Sequence, residues 1–590
     1  MLRPRYAAAS VGRTGAGMLS FILADAVEAA LGRNPTQMYL FGNDEVPSTG
    51  TFAHEPGLLR AESQGAEAAG LSIQLDLDAL AAAVGRDGEP LGKVTLTTCL
   101  LPHREKPYVL ALELARKRIM QLVHKLEEWG MFELGPDDPS IERVENARRM
   151  FTEALVAQRR AGTWVPGRMS DDERSACLSL LLAVEAGERL AMRQCERLWP
   201  SRMSGELHAK ACTHYERMQH ERPPAGAPIL IPGNLGVVLP GRPMVGCSVS
   251  PAAFSEALGK IVGATCDFIN VPVRWGEMEP SEGKYAFQGT DRWIEWAVRT
   301  AKMPVVAGPL IDFRPSCVPE WLYIWENDYE TLRELVAEHI KQVVTRYRRT
   351  VRRWTVASGL HVNANFPLGF EQMMDLTKLA VLHVRKLHPQ ANVVLEVTQL
   401  WGEYYAQNRK SVPPQLYADM VVQAGLPVDA FGLRIQVGQP RPGQATRDLM
   451  AISSILDRFA DFEKPIIVTA LGAPALPVVA LRGENGKPGE PRTGADGSLD
   501  PGYWHQPWNE QLQADWLTQV GALVLSKPYV HSLCWQELFD VPNSPEMPGG
   551  GLISQSGATR PAAMRMAELR RAVREARLPT FGSAPAMAIP

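Results

Sequence analysis

From Met244 onward the chain alternates strand-like and helix-like patterns eight times, and that alternation leaves few folds open to it. The strand candidates are Met244–Val249, Phe268–Val273, Pro304–Asp312, Arg353–Ala357, Val393–Gln399, Ala430–Val437, Pro465–Leu471 and Val530–Glu537, with helical spacing between them. One of the intervening helices opens on Asn327 with Glu330 three residues later, a capping-box pair ahead of Leu332–Tyr347. Eight β/α units in about 330 residues have the count and size of a TIM (β/α)8 barrel. A doubly wound sheet would carry a Gly-rich phosphate turn after its first strand, and Gly246-Cys247-Ser248 is not one.

The first 243 residues read differently. Leu71, Ile73, Leu75 and Leu77 alternate with Ser72, Gln74 and Asp76, the period of a strand with one buried face, and Val94, Leu96 and Thr98 continue it. Residues 18–103 are therefore expected to form a β-sandwich-like module. Helical spacing then takes over. One helix spans Tyr108–Trp129, a second runs from Asp138-Pro139 to about Arg159, and a third opens on the capping box Ser170/Glu173. The expected organisation is an unstructured extension (1–17, with Met18 as an alternative start), the module (18–103) and a helical spacer (104–221). A Pro/Gly-rich linker (222–243), the barrel (244–578) and a flexible tail (579–590) follow.

Composition narrows the function classes. Hydrophobic residues make up 45% of the 590 and charged residues 22%, as in a globular protein, and the formal net charge of −3 gives no footprint for nucleic acid. The eight cysteines form no Cys-x-x-Cys pair or Cys/His cluster, so neither a metal site nor a disulfide framework is expected. No phosphate loop or dinucleotide fingerprint occurs, and the expectation is no cofactor. No apolar run is long enough for a membrane span, and Met18–Ala24 is too short and too soon followed by Asp25 and Glu28 for a signal peptide, so a cytoplasmic location is expected.

The segment Asn270-Val271-Pro272-Val273-Arg274-Trp275-Gly276-Glu277-Met278-Glu279-Pro280, followed by Glu282-Gly283-Lys284-Tyr285-Ala286-Phe287, resembles the second β/α loop of clan A glycosidases. Pro319-Glu320-Trp321-Leu322, Cys534-Trp535, Asp540, Gly551-Leu552-Ile553 and Arg560-Pro561-Ala562 narrow the resemblance to glycoside hydrolase family ten, the xylanases. It covers about 330 residues in the right order. The resemblance implies a retaining glycosidase with two glutamates about 5 Å apart. The departures fall on that chemistry. Where the family's strand four reads Trp-Asp-Val-Val-Asn-Glu, this chain reads Trp354-Thr355-Val356-Ala357-Ser358-Gly359, and Thr469-Ala470 stands for the Thr-Glu of strand seven. Trp-His after strand three becomes Asp312-Phe313, and Gln-x-His of strand six becomes Arg434-Ile435-Gln436.

Candidate binding groups cluster at the expected strand ends, the face on which barrel sites are built. The carboxylates there are Glu277, Asp312, Glu396, Glu403, Glu537 and Asp540, each of which has a plainer reading as a loop-holding group. Asn270, Arg274, Arg434 and Gln436 supply further polar groups. Trp275, Trp401, Trp504, Trp508 and Trp535, with Trp321, Tyr404 and Tyr405, offer flat faces for sugar stacking or, in the plainer reading, packing of the barrel mouth. Trp504 and Trp508 lie in or beside the Gly/Pro-rich insert Gly483–Pro507. These features favour an oligosaccharide- or polysaccharide-binding or -sensing pseudoglycosidase. Two alternatives stand beside it: an active hydrolase with relocated carboxylates, and an intracellular scaffold whose barrel face binds a protein partner.

Overall fold

The computed structural model describes residues 17–32, 38–63, 68–160, 170–231, 236–441, 443–477, 500–541 and 546–581. Eight parallel strands form one closed ring: β1 (Met244–Ser248), β2 (Phe268–Val271), β3 (Val305–Ala307, resumed at Ile311–Asp312), β4 (Val351–Ser358), β5 (Asn392–Val397), β6 (Ala430–Gln436), β7 (Ile466–Gly472) and β8 (Val530–Trp535). Pairing of β8 with β1 and of β3 with β4 closes it. β3 is interrupted at Gly308, where φ is +129° and an added Cβ would lie 2.3 Å from the Thr355 carbonyl oxygen. Only glycine allows the two backbones so close. The helix expected to be capped by Asn327 is instead Tyr329–Tyr347, capped by Asp328, whose carboxylate accepts from Thr331 N at 3.1 Å.

In the N-terminal module, one sheet orders Gly50–Glu55, Leu58–Ser63, Gly17–Ile22 and Tyr108–Val109. The other orders Gly92–Thr97, Gly70–Asp76, Met38–Phe41 and Pro47–Ser48, and both sheets contribute to one core with Leu19, Phe21, Leu71, Ile73 and Val94. Strand Gly70–Asp76 does not have the solvated face its alternation suggested: Ser72 and Gln74 are buried too. The reason is non-local. Barrel residues Tyr503–Trp504 add an antiparallel strand beside Gly92–Lys93, and Gly502 packs against Gln74 and the Lys93 carbonyl.

The helical region is a layer on the barrel. Helices α1 (Leu110–Glu128), α2 (Pro139–Arg160), α3 (Asp171–Ser204) and α4 (Glu206–Gln219) follow in order, and α3 starts where Ser170 N donates to the Glu173 carboxylate at 2.9 Å. Two barrel helices, α5 (Leu449–Ala460) and α6 (Glu510–Ser526), receive the layer through buried polar contacts. Asp457 of α5 accepts from Lys125 Nζ of α1 (2.6 Å), Lys527 Nζ (2.9 Å) and Tyr529 OH (2.5 Å), and Lys527 Nζ also donates to Gln194 of α3 (2.7 Å). Glu188 of α3 accepts from Trp504 Nε1 at 2.9 Å and contacts His505 Nε2 at 2.7 Å. Within residues 222–243, Ile229–Ile231 and Gly236–Val238 pair as a short hairpin. Phe581 packs on the barrel core, while residues 1–16, 483–499 and 582–590 lie outside the described residues. Among the described residues no helix is long and apolar enough to cross a membrane.

Removing Asp457 leaves Lys527, 1% exposed, without its counter-charge. Asp457→Ala is therefore expected to lower the unfolding free energy by about 3–5 kcal/mol, measured by denaturant titration. Burial alone would raise the Asp457 carboxyl, but Lys527 and Lys125 outweigh it and hold it well below the usual range. A depressed carboxyl contributes stability that is complete above its unfolded-state pKa of about 3.9 and is lost as pH falls through its folded value. The parent should accordingly lose stability below about pH 4 more steeply than Asp457→Ala.

Candidate functional site at the barrel mouth

The C-terminal ends of β3 to β8 converge on two cavities that share a wall made by Asp312, Arg314 and Arg434. The outer cleft, about 730 Å³ including its open mouth, is bordered by Gly359, Asn363, Asn365, Phe366, Gln399 and Gln444 among others. The inner cavity, about 630 Å³, reaches down into the ring past Asn270, Glu396, Ala470 and Gln536. Gly359 thus follows β4 on the outer cleft and Ala470 sits in β7 on the inner one, so the two strand ends meet at the same mouth.

One chain of ion pairs crosses that mouth. Arg314 Nε and Nη2 donate to Asp312 at 2.9 and 2.6 Å, and Nη2 also reaches Glu546 Oε1 at 3.1 Å. Arg434 Nη1 donates to Glu546 Oε2 at 2.7 Å, while its Nε and Nη2 donate to Glu396 Oε1 at 3.1 and 3.0 Å. Ser358 Oγ completes the set, donating to the same Glu396 oxygen at 2.5 Å. At the rim, Arg274 Nη1 bonds Glu277 at 3.0 Å and Nη2 lies 3.7 Å from Glu537. Gln436 Nε2 donates to Gln536 Oε1 (2.6 Å) and Glu546 Oε2 (3.1 Å), and Gln444 Nε2 donates to Gln436 Oε1 (3.1 Å).

The electrostatics of this chain oppose proton donation. Burial would raise the Asp312 carboxyl, but Arg314 beside it brings it below the ordinary aspartate range. Glu546 is likewise pushed up by burial and pulled much further down by Arg434, Arg314 and Arg274. A carboxylate so stabilised is ionised at neutral pH and cannot act as a general acid.

Of the residues singled out from sequence, the mouth gathers Asn270, Arg274, Asp312, Glu396, Arg434 and Gln436, with Glu537 behind Arg274. Glu277 is exposed at the edge. Asn270 is engaged with Ser248 Oγ at 2.9 Å. Glu403 pairs with Arg447 (2.5 Å) and Asp540 with Arg560 (2.7 Å), both as loop-holding groups. The tryptophans go elsewhere. Trp275 is buried, donates to Glu279 at 2.7 Å and stacks on His339 at 4.4 Å. Trp504 and Trp508 are buried and donate to Glu188 and to the Gly502 carbonyl. Trp535 is buried with Nε1 on the Gly550 carbonyl at 2.9 Å, and Trp401 is half-buried under the Arg447 guanidinium at 4.9 Å. Each of these rings is spent on packing and hydrogen bonding away from the cleft. Sequence reasoning passed over Arg314, Glu546 and Gln536. The Asp312-Phe313-Arg314 charge pair at a strand end was a usable signal for the first, but nothing marks Glu546 in its loop.

Residues 243–474 match the family model for Glycosyl hydrolase family 10. Endo-1,4-beta-xylanase C of Paenibacillus barcinonensis is 25% identical over 216 residues, which are 33% of this chain and 19% of that protein. Endo-1,4-beta-xylanase B of Humicola insolens is 29% identical over 85 residues, 14% of this chain and 23% of that protein. The chain thus spans about a fifth of the length of the curated relatives it matches. The crystal structure of native xylanase 10B from Thermotoga maritima is 16% identical, covering 57% of this chain and 97% of that one with a TM-score of 0.41.

The burial of Trp535 has a direct consequence. Trp535→Ala should cost about 3–5 kcal/mol of unfolding free energy, the range for deleting a large core ring, and lower the thermal midpoint measured by circular dichroism.

Proposed function

We propose that the barrel, whose residues 243–474 match the family model for Glycosyl hydrolase family 10, binds an oligosaccharide without hydrolysing it. The observation that carries this reading is that Gly359 and Ala470 occupy the two strand ends that meet at the mouth. The family resemblance puts the acid/base and the nucleophile at these positions, and neither residue can donate a proton or form a glycosyl ester. The alternative, hydrolysis by relocated carboxylates, would need a proton donor with a raised pKa. Asp312 and Glu546 are shifted the other way, and Glu396 is committed to Arg434 and Ser358.

Binding is supported by the polar groups of the same walls. Gln399 and Gln444 line the outer cleft and Gln536 the inner cavity. Side-chain amides can both donate to and accept from sugar hydroxyls. The outer cleft mixes amides with the Phe313–Phe366 ring pair, the apolar-plus-few-polar lining of a ligand site. The curated relatives are endo-1,4-β-xylanases, so β-1,4-linked xylo-oligosaccharides are the first ligands to try.

Two measurements test the reading. No release of sugar from xylan or aryl xylosides above the uncatalysed rate is expected, and turnover abolished by Asp312→Asn or Glu396→Gln would overturn it. Calorimetric titration should detect neutral oligosaccharide binding that weakens by about 0.5–1.5 kcal/mol in Gln444→Ala. Flat titrations across a broad panel, with a protein partner lost on mutating the same face, would favour the scaffold alternative instead.

Restoring glutamates is not expected to restore hydrolysis. Gly359 has φ +64° and an added Cβ would lie 3.2 Å from Thr398 Oγ1. A glutamate there would carry roughly 1–2 kcal/mol of left-handed strain and a poorly set carboxyl. Gly359→Glu with Ala470→Glu should stay at the background rate on aryl xylosides.

A further inference from the structure

At the floor of the barrel, below the ion pairs of the mouth, two guanidiniums lack a counter-charge. Arg353, near the start of β4, crosses to the start of β8. Its Nη1 donates to Ser532 Oγ at 3.1 Å, and its Nη2 lies 3.0 Å from Nδ1 and 3.1 Å from Nε2 of His531. Arg202 of α3, 2% exposed, donates to the Gly241 carbonyl from Nη1 and to the Val530 carbonyl from Nη2 at 3.3 Å. Nε of each arginine is out of solvent with no hydrogen-bond partner among the described residues. Carbonyls, a hydroxyl and an imidazole thus surround the pair, and among the described residues no carboxylate is ion-paired with either.

The imidazole carries no charge of its own. Burial, reinforced by Arg353 and then Arg202, pushes His531 down to about 3, so at neutral pH it is an uncharged acceptor. Burial brings the two arginines down only to about 10, and both keep their protons. A buried cation is ordinarily paired with an anion, because nothing else returns the cost of its desolvation. Asp312, Glu396 and Glu546 do not serve, since they are engaged higher up by Arg314 and Arg434. Room for another anion lies beside Arg353, which borders the lower part of the inner cavity with Phe268, Val306, Thr355 and Ile467. Thr355 follows Arg353 by two residues on the same face of β4 and brings a hydroxyl to that wall.

We propose that the lower part of the inner cavity is a binding site for one halide ion, held by the Arg353 guanidinium with the Thr355 hydroxyl beside it. Arg202 does not border the cavity and acts through its charge alone. The walls choose the class of ion. Phe268, Val306 and Ile467 offer nothing to replace the hydration of a phosphate or sulfate dianion, whereas a halide is easier to dehydrate and needs only donors. The ion supplies the negative charge that the chain does not place at the floor, and its role is to stabilise the barrel. The site stands independently of any sugar at the mouth.

The test is urea unfolding of the full chain at constant ionic strength, with sodium chloride replacing sodium gluconate, whose anion is far larger. An ion bound only by the folded state lowers the unfolding equilibrium constant in proportion to its occupancy. Going to about 0.1 M chloride should lower that constant about tenfold, with a logarithmic slope approaching one ion per chain. In Arg353→Met, which keeps the length of the side chain and removes its charge, the chloride effect should shrink to less than about twofold. Anomalous diffraction from crystals of the full chain grown in bromide should place one ion beside Arg353. Equal stability in chloride and gluconate overturns the proposal. So does a chloride effect that survives Arg353→Met, which would put the ion elsewhere, and so does a larger response to phosphate than to chloride. Should Arg353→Met fail to fold, the bromide position decides: no ion at Arg353 rejects the site.

Discussion

A guanidinium enclosed by a barrel has to find its counter-charges within arm's reach, and Arg434 imposes that condition on the whole mouth. Burial would push such a group toward losing its proton, yet Glu396 and Glu546 hold it charged. Leaving one buried ion unpaired costs several kcal/mol, more than any single loop contact here contributes. The neighbouring positions are thereby constrained. Glu396 must face inward, Glu546 must reach across from its loop, and Arg314 must share Glu546 while anchoring on Asp312. Carboxylates committed in this way are ionic ligands for arginine, and their chemistry follows from that commitment.

The barrel was legible because its signal is local. Each strand and helix announces itself over a handful of residues, and all eight strand candidates coincide with strands of the ring to within a few positions. The side on which a residue falls was harder to read. Cys534 and Gln536 border the inner cavity, so Trp535 between them turns outward toward the helices, and a one-residue difference decides between sugar platform and core filler. The alternation of Gly70–Asp76 similarly gave a correct strand and an incorrect surface, because the partner that covers Gln74 lies far along the chain. Of the mouth itself, Asp312, Glu396, Arg434 and Gln436 were readable as polar residues at strand ends. Glu546 was not, since a loop residue acquires its meaning only from what the loop folds against.

The contacts between the helical layer and the barrel are unusually ionic for a packed interface. Arg118 pairs with Asp448, Lys125 and Lys527 with Asp457, and Glu188 takes both Trp504 and His505. Polar contacts of this kind fix orientation more strictly than apolar surfaces that slide, because each buried group tolerates one partner geometry. The layer therefore holds α5 and α6 in set positions behind β6, β7 and β8, the strands that carry Arg434, Ala470 and Trp535.

The strand Tyr503–Trp504 ties the two ends of the chain's history together. It completes a sheet whose other members were made long before: Lys93 and Asp500, which bond beside it, are 407 positions apart. A ribosome releasing this protein must emit most of the barrel before the first module can close its edge. Until then the Gly92–Lys93 end of that strand lacks its antiparallel partner, the kind of edge that recruits a neighbouring chain. One corner of the first module is thus covered only after most of the barrel has been made.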